Sequence, residues 1–447
     1  MSLTPIDLSR PGAAHVDSFW AASAGDEVTG TPPLAGDVET DIAIIGAGYT
    51  GLSTAYHLAR EHGIKALVLE ANRVGWGCSG RNGGFCSTGM CKDGPRAWAE
   101  RWGLDEARRI FGISRDAVET VAGIMDREGF DADRTPTGTL ELAHKARYLP
   151  EMKQRAQWLR ENLGVNARVI GKEELDREYL TSREAYGAMH MDEGFGIHPM
   201  KFMRGLARAA LANGVTIHAG SPVIGWTKEG NRHLLRTPHG IVRARTVVVA
   251  TNGYTNDTLH PQLDGRLLPA LSNIIVTRPL TEAERASVNW RTNLKIWDSR
   301  ILLFYYRLLP DNRIMFGSRG GIVDTPESNA ERRRWMKRRI GEMFPPLAHV
   351  EDEYFWYGWV SVAYDKNPHF GTLPGDPTVH YALAYIGAGV ALANHAGKLL
   401  AQKIATGSAE YGKLLNVPLP RFPLPPMRRT WQRIAYAWYA RQDERGA

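Results

Sequence analysis

Asp41–Glu70 reads DIAIIGAGYTGLSTAYHLAREHGIKALVLE, and the reading of the whole chain works outward from it. The residues Asp41 to Ile45 are almost all apolar, as a parallel strand covered on both faces requires. Gly46 permits the tight turn that follows, Gly48 lets the backbone approach a pyrophosphate, and Gly51 lets the next helix pack closely on the strand. The helix predicted from Tyr49 to about His62 turns its free N–H groups and positive dipole end toward that pyrophosphate, and Gly63 stands where a C-terminal cap belongs. A second strand, Ala66 to Leu69, delivers Glu70 about 20 residues beyond the last glycine, where a carboxylate accepts ribose hydroxyls. The order strand, glycine turn, helix, strand, acid is that of a dinucleotide-binding βαβ unit and points to a flavin or nicotinamide enzyme. The acid disfavours a 2′-phosphate, and so NADP, at this position.

Size and composition narrow the remaining possibilities. At 447 residues the chain has room for two or three domains, and its 43% hydrophobic and 23% charged content is that of an ordinary globular protein. The net charge of +7 is scattered apart from Glu331–Arg339 (ERRRWMKRR) and the tail near Arg428. We read that run as a solvated helix face, without a nucleic-acid partner. Cys78, Cys86 and Cys91 are too few for a disulfide framework, and no histidines lie at ligand spacing, so no metal site is expected. The first forty residues lack the charged start and apolar core of a signal peptide, which makes the cytoplasm the expected compartment. Tyr381 to Ala393, the longest apolar run, falls short of the ~20 residues a membrane span needs.

Directly after Glu70, Ala71 to Gly89 (ANRVGWGCSGRNGGFCSTG) is too rich in glycine and small polar residues for a buried strand or a stable helix. It reads as a loop whose amides face a ligand. Its core, GWGCSGRNGGF at Gly75–Phe85, resembles the flavin-proximal loop of the D-amino-acid-oxidase-like superfamily, in particular the branch of γ-glutamylputrescine, glycine and sarcosine oxidases. Three further segments agree with that resemblance: Gly214–Val223 (GVTIHAGSPV), Thr246–Thr255 (TVVVATNGYT) and Tyr381–Ile404 (YALAYIGAGVALANHAGKLLAQKI). It implies FAD, held at the pyrophosphate turn by Gly46, Ala47, Gly48, Tyr49, Thr50 and Gly51, and at the adenosine by Glu70, Ala71, Asn72 and Arg73. Around the ribityl chain and ring it implies Gly77, Ser79, Gly80, Arg81, Asn82, Gly83 and Gly84. Val223, Ala250, Thr251 and Gly253 would close the nucleotide end, and Gly387, Gly389, Val390 and Ala391 would face the flavin N1/C2 edge from a helix N-terminus. The same resemblance makes FAD non-covalent here: no cysteine follows Cys91, and Trp76 to Gly84 contains no histidine for a flavin link.

Because these motifs are far apart, the expected fold is α/β (α+β overall), a discontinuous Rossmann-like FAD-binding domain with an inserted substrate domain on a large antiparallel or mixed sheet. The boundaries read as an N-terminal arm 1–37, FAD-binding segments 38–93, 166–267 and 353–412, substrate-domain segments 94–165 and 268–352, and a proline-rich tail with a C-terminal helix, 413–447. Apolar spacing predicts helices over Trp98–Gly129, Tyr148–Asn162 and His198–Asn213, a strand at Thr137–Leu142, and a hairpin of Leu302–Leu308 with Arg313–Ser318. Ser328 with Glu331 reads as a capping box opening a helix to Met343, and Met427–Tyr439 as an amphipathic helix docked on the protein itself, with a membrane surface as the second reading.

The activity the resemblance implies is oxidation of a C–N bond: hydride leaves the carbon beside a neutral amine for flavin N5, the imine is hydrolysed, and O2 reoxidises the flavin with release of H2O2. A small or γ-glutamylated amine is the expected substrate, with an amino-acid (glycine, sarcosine or D-amino-acid) oxidase and a quinone-linked dehydrogenase at a membrane surface as alternatives. The candidate catalytic side chains are Tyr305, Trp359, Tyr364 and His369, on the hairpin or the returning strand. Arg307 and Arg319 are the candidates for binding a substrate carboxylate.

Overall fold

The computed structural model describes residue 8 and residues 11–444. Two eight-stranded sheets and the helices around them make a mixed α/β fold. In the first sheet the parallel strands Thr216–His218, Leu67–Leu69, Val38–Ile45, Gly240–Val249 and Asp376–Leu383 lie side by side. The strand Val38–Ile45 is central, and its alternate side chains feed two cores. Ile42 and Ile44 pack on the helical side, while Ala43 and Ile45 pack on the other. That two-sided burial is why the segment is an unbroken apolar run. The helix Tyr49–His62 follows and closes on Gly63 in the left-handed conformation. It packs on the late helix Gly389–Thr406 at Gly397, where an added Cβ would lie 2.6 Å from the Cβ of Ser53.

The second sheet has the order Asp352–Val362, Leu268–Thr277, Ile314–Gly321, Phe304–Leu308, Lys295–Asp298, Thr139–Leu142, Gly187–Met191 and Ala167–Gly171. It is antiparallel except where Lys295–Asp298 pairs with Thr139–Leu142. Three of its strands, Ala167–Gly171, Gly187–Met191 and Asp352–Val362, fall in segments the sequence assigns to the nucleotide unit. Their edges are completed by partners 46 to 94 residues away or by each other, a pairing that leaves no local signature.

Local boundaries move for identifiable reasons. The helical stretch Trp98–Gly129 is two helices, Pro95–Trp102 and Leu104–Glu128, because Gly103 adopts φ +89° between them. The helix predicted to open at Ser328 starts at Pro326. Thr325 is its N-cap and accepts the Ser328 N–H, so Ser328 sits inside the first turn and makes no capping box with Glu331. Arg333 and Arg339 on this helix pair with Asp352, and with Glu184 and Glu342.

The chain ends tie the two sheets together. The N-terminal arm runs along the glycine-rich loop: the Gly12 N–H donates to the Ala71 carbonyl (3.0 Å), and the Trp20 indole donates to that of Asn82 (2.8 Å). The C-terminal helix Arg428–Glu444 starts on the first unit, where buried Arg428 pairs with Asp257. It ends on the second, where Asp443 accepts the N–H groups of Ile301 (2.8 Å) and Leu302 (3.0 Å).

Candidate cofactor and active site

At the carboxyl ends of the parallel strands a cleft opens, lined by Gly46–Gly48, Glu70, Ala71, Trp76–Ser79, Val223–Gly225 and the 250–259 segment. Each lining piece is there for a steric reason. Gly46 has φ +107° and lies against the Ala250 carbonyl. A Cβ on Gly51 would stand 1.9 Å from the Gly46 carbonyl oxygen, so only glycine lets the helix begin so close to the strand. The N-cap, Gly48, has no side chain and no acid lies in the first turn, where the Ser79 hydroxyl oxygen accepts the Tyr49 N–H (3.0 Å). Glu70 is held rigidly beside the turn: its carboxylate accepts the N–H of Ala47 (2.8 Å) and of Asn72 (3.0 Å). Burial raises its pKa, while those amides pull it down.

The loop Trp76–Gly84 carries the cleft onward to the second sheet. Arg81 lies over the Trp76 ring at 4.2 Å and donates to the Trp76 carbonyl, yet its buried Nη2 has no partner. The Asn82 side chain spans the loop, with its amide NH2 on the carbonyls of Cys78 and Ser79 and its oxygen accepting the Gly84 N–H. Across from this loop stands the turn between Leu383 and the helix Gly389–Thr406. Ala384, Ile386 and Gly387 there all have positive φ (68°, 49° and 111°), strain of the kind that gathers where a ligand is clamped. The helix that follows has neither a side-chain cap nor an acid in its first turn, so the amides of Gly389 to Ala391 are presented to an anionic group. Thr50 and Tyr385 link the two helix starts through their hydroxyls, 2.6 Å apart.

The sheet face opposite the loop brings together two of the six side chains singled out for chemistry. Tyr305 stands in register with Gly317, and its ring lies flat across that glycine to reach Ser272 on the next strand but one (2.8 Å between hydroxyls). The Cε2 edge of the ring also faces Gly83 of the loop, where a Cβ would be 2.8 Å away. Burial pushes its pKa up to about 12, so it is a phenol at neutral pH. Arg319, on the same face, donates to the Ile386 carbonyl (3.2 Å) and reaches Gly387. It has no carboxylate partner among the described residues, and burial lowers its pKa.

The other four lie elsewhere. Arg307 is buried on the Tyr305 face but is tied behind the loop to the Ile197 carbonyl, against Gly84 and Gly196. Strand alternation turns Trp359 away from the loop that Trp356 and Gly358 meet, and its ring lies under Arg429 at 5.2 Å. Tyr364 is 54% exposed and packs on Phe422. His369 is buried with both nitrogens engaged, by Asp365 and by the Val417 carbonyl.

Sequence reasoning missed Ser272, whose partner is 33 residues away, and Tyr254, whose hydroxyl accepts the Trp359 N–H while its ring covers Gly77. It missed Lys295 as well. Fully buried, with its pKa lowered to about 7 by desolvation, Lys295 ties the second sheet to the Cys86 carbonyl and the Ser87 hydroxyl. A single lysine in a β-strand carries no signal of this role. Among the described residues no group of three potential metal ligands occurs, and no helix is long and apolar enough to cross a membrane.

A cleft at the ends of parallel strands, two helix starts free of acids and a polar sheet face closing over a glycine loop define a dinucleotide-dependent oxidoreductase. Residues 41–403 match the DAO family model, described as FAD dependent oxidoreductase, and the chain belongs to that family. It is 30% identical to the γ-glutamylputrescine oxidoreductase of Escherichia coli strain K12, over 97% of this chain and 99% of that protein. Among solved structures it resembles L-proline dehydrogenase from P. horikoshii (TM-score 0.68, 20% identity, 87% of this chain and 96% of that one). It also resembles glycine oxidase from Bacillus cereus ATCC 14579 (TM-score 0.66, 20% identity, 86% and 99%). The chain is thus an FAD-dependent oxidoreductase. The unpartnered Arg81 nitrogen, the glycines against which a Cβ would collide and the acid-free helix starts all fit that cofactor.

Proposed function

We propose that this protein is an FAD-dependent amine oxidase that oxidises the C–N bond of a small or γ-glutamylated amine, giving an imine that hydrolyses to aldehyde and amine or ammonia, with O2 reduced to H2O2. The single observation that carries this reading is Arg319, a half-buried cation without a carboxylate partner among the described residues, beside Tyr305 and the strained turn at Gly387. A substrate carboxylate, such as that of a γ-glutamyl group, satisfies it. The E. coli relative, matched along its full length, is named for a substrate of that chemistry.

Bound FAD supplies the two-electron acceptor. The chain supplies the rest. Gly46 to Gly51 and Glu70 would hold the pyrophosphate and ribose, Ser79 to Gly84 the flavin end, and the amides of Gly389 to Ala391 the charge that develops there on reduction. Arg319 orients the substrate, Tyr305 and Ser272 present a hydroxyl pair to its amine, and the sheet face keeps water away. We infer that FAD is non-covalent: Cys78, the one thiol in the loop, has a pKa raised to about 11 by burial and stays protonated. The same arginine also suits a free amino acid, so an amino-acid oxidase is the second reading.

The test is anaerobic bleaching of the flavin's visible band by amines and amino acids with and without γ-glutamyl caps, followed by admission of air and a peroxide assay. Bleaching by capped amines with peroxide on aeration is expected. Bleaching by hydroxy acids alone would overturn the C–N assignment, and reoxidation only by a quinone would overturn the oxidase. Acid precipitation should leave a colourless pellet.

A further inference from the structure

The C-terminal helix Arg428–Glu444 is packed inside out. An amphipathic helix normally buries its apolar stripe and shows water its polar one. Here the contacts that dock it are polar. Arg428 binds Asp257 and the Leu267 carbonyl, Arg429 donates to the Pro269 carbonyl (2.8 Å), and Asp443 caps the Ile301 and Leu302 amides. Gln432 is buried on the same side. The outward face carries Trp431 (53% exposed), Ile434 (55%) and Trp438 (55%), at spacings of three and four that align them in one stripe. Met427 and Leu424 extend it. Arg441 is exposed at the edge of the stripe and Arg433 is exposed further round the helix on the same side; neither has an ion-pair partner among the described residues, while Asp443 is turned inward.

We propose that this stripe docks the protein peripherally on an anionic phospholipid surface. Tryptophans at the depth of the headgroups with arginines beside them are the composition such a surface binds, and a chain of net charge +7 adds long-range attraction. On its inward side the helix meets the second sheet: Arg429 covers Trp359, and Tyr436 lies within electrostatic reach of Arg319 and Arg332. This inference does not depend on which amine is oxidised.

The experiment is co-sedimentation of the FAD-loaded full chain with vesicles of phosphatidylcholine alone and of equimolar phosphatidylcholine and phosphatidylglycerol, with size and flavin content measured in parallel. Binding to the anionic vesicles, weakened by salt, is expected. The Trp431→Ser/Trp438→Ser double variant should lose about tenfold in apparent affinity for them. Arg433→Gln/Arg441→Gln should lose a similar factor with anionic vesicles only. Both variants should keep flavin content and turnover in solution, since none of these side chains touches the site. Wild-type protein left in the supernatant, or double variants that bind as well as wild type, would overturn the proposal. So would a wild-type dimer that Trp431→Ser converts to monomer without any vesicle binding.

Discussion

Tyr305 shows how one residue depends on a neighbour with no side chain. Its ring crosses Gly317 to reach Ser272, and an added Cβ would stand 2.0 Å from the ring carbon Cζ. Gly317→Ala should displace the ring and lower kcat/KM about tenfold or more, as Tyr305→Phe should by removing the hydroxyl. The Gly317→Ala/Tyr305→Phe pair should be far from additive, because both act on one contact. Since burial disfavours the phenolate and holds the Tyr305 pKa up to about 12, the hydroxyl stays protonated through the neutral and mildly alkaline range. The rise of kcat/KM with pH should therefore follow loss of the substrate's ammonium proton, and Tyr305→Phe should lower the profile without moving that limb. A limb that disappears in the variant would assign the titration to Tyr305.

Among elements, the helix Tyr49–His62 is the most tightly placed. Its start is fixed by Gly46 and Gly51, and its flank by Gly397 of the late helix. Gly51→Ala puts a Cβ 1.9 Å from the Gly46 carbonyl, a backbone atom that cannot step aside. We expect a loss of about 1–3 kcal/mol in stability and a protein purified largely without flavin, read from a thermal melt and the ratio of visible to ultraviolet absorbance. Gly63→Ala, at a left-handed cap facing open space, should lower stability by only about 1 kcal/mol and keep the flavin, which separates cofactor positioning from general destabilisation. The basic helix Pro326–Met343 teaches the opposite lesson: much of its charge is spent on local acids such as Asp352 and Glu184.

At the scale of the molecule the chain ends bind the two units together. Arg428 is buried against Asp257 and the Leu267 carbonyl, so Arg428→Ala should release the C-terminal helix. Because Asp257 is partly exposed, we expect about 1–2 kcal/mol, less than a fully buried pair costs when broken, together with faster proteolysis in the proline-rich segment before it. Unchanged cleavage would show that the helix holds without this pair. The nucleotide half was legible in the sequence because it is local. Strand, glycine turn, helix and Glu70 lie within thirty residues, and each glycine answers a nearby steric demand that chain order alone states. The glycine-rich loop and the late helix start were legible for the same reason. What only the tertiary structure decided was how strands 130 or more residues apart share one sheet, how Trp359, Tyr364 and His369 come to face away from the loop while Tyr305 and Arg319 face it, and how the last helix turns its tryptophans outward. Pairing between distant strands sets which alternate side chains meet the cofactor, and a one-residue change of register reverses every one of them, so no local pattern can carry that information.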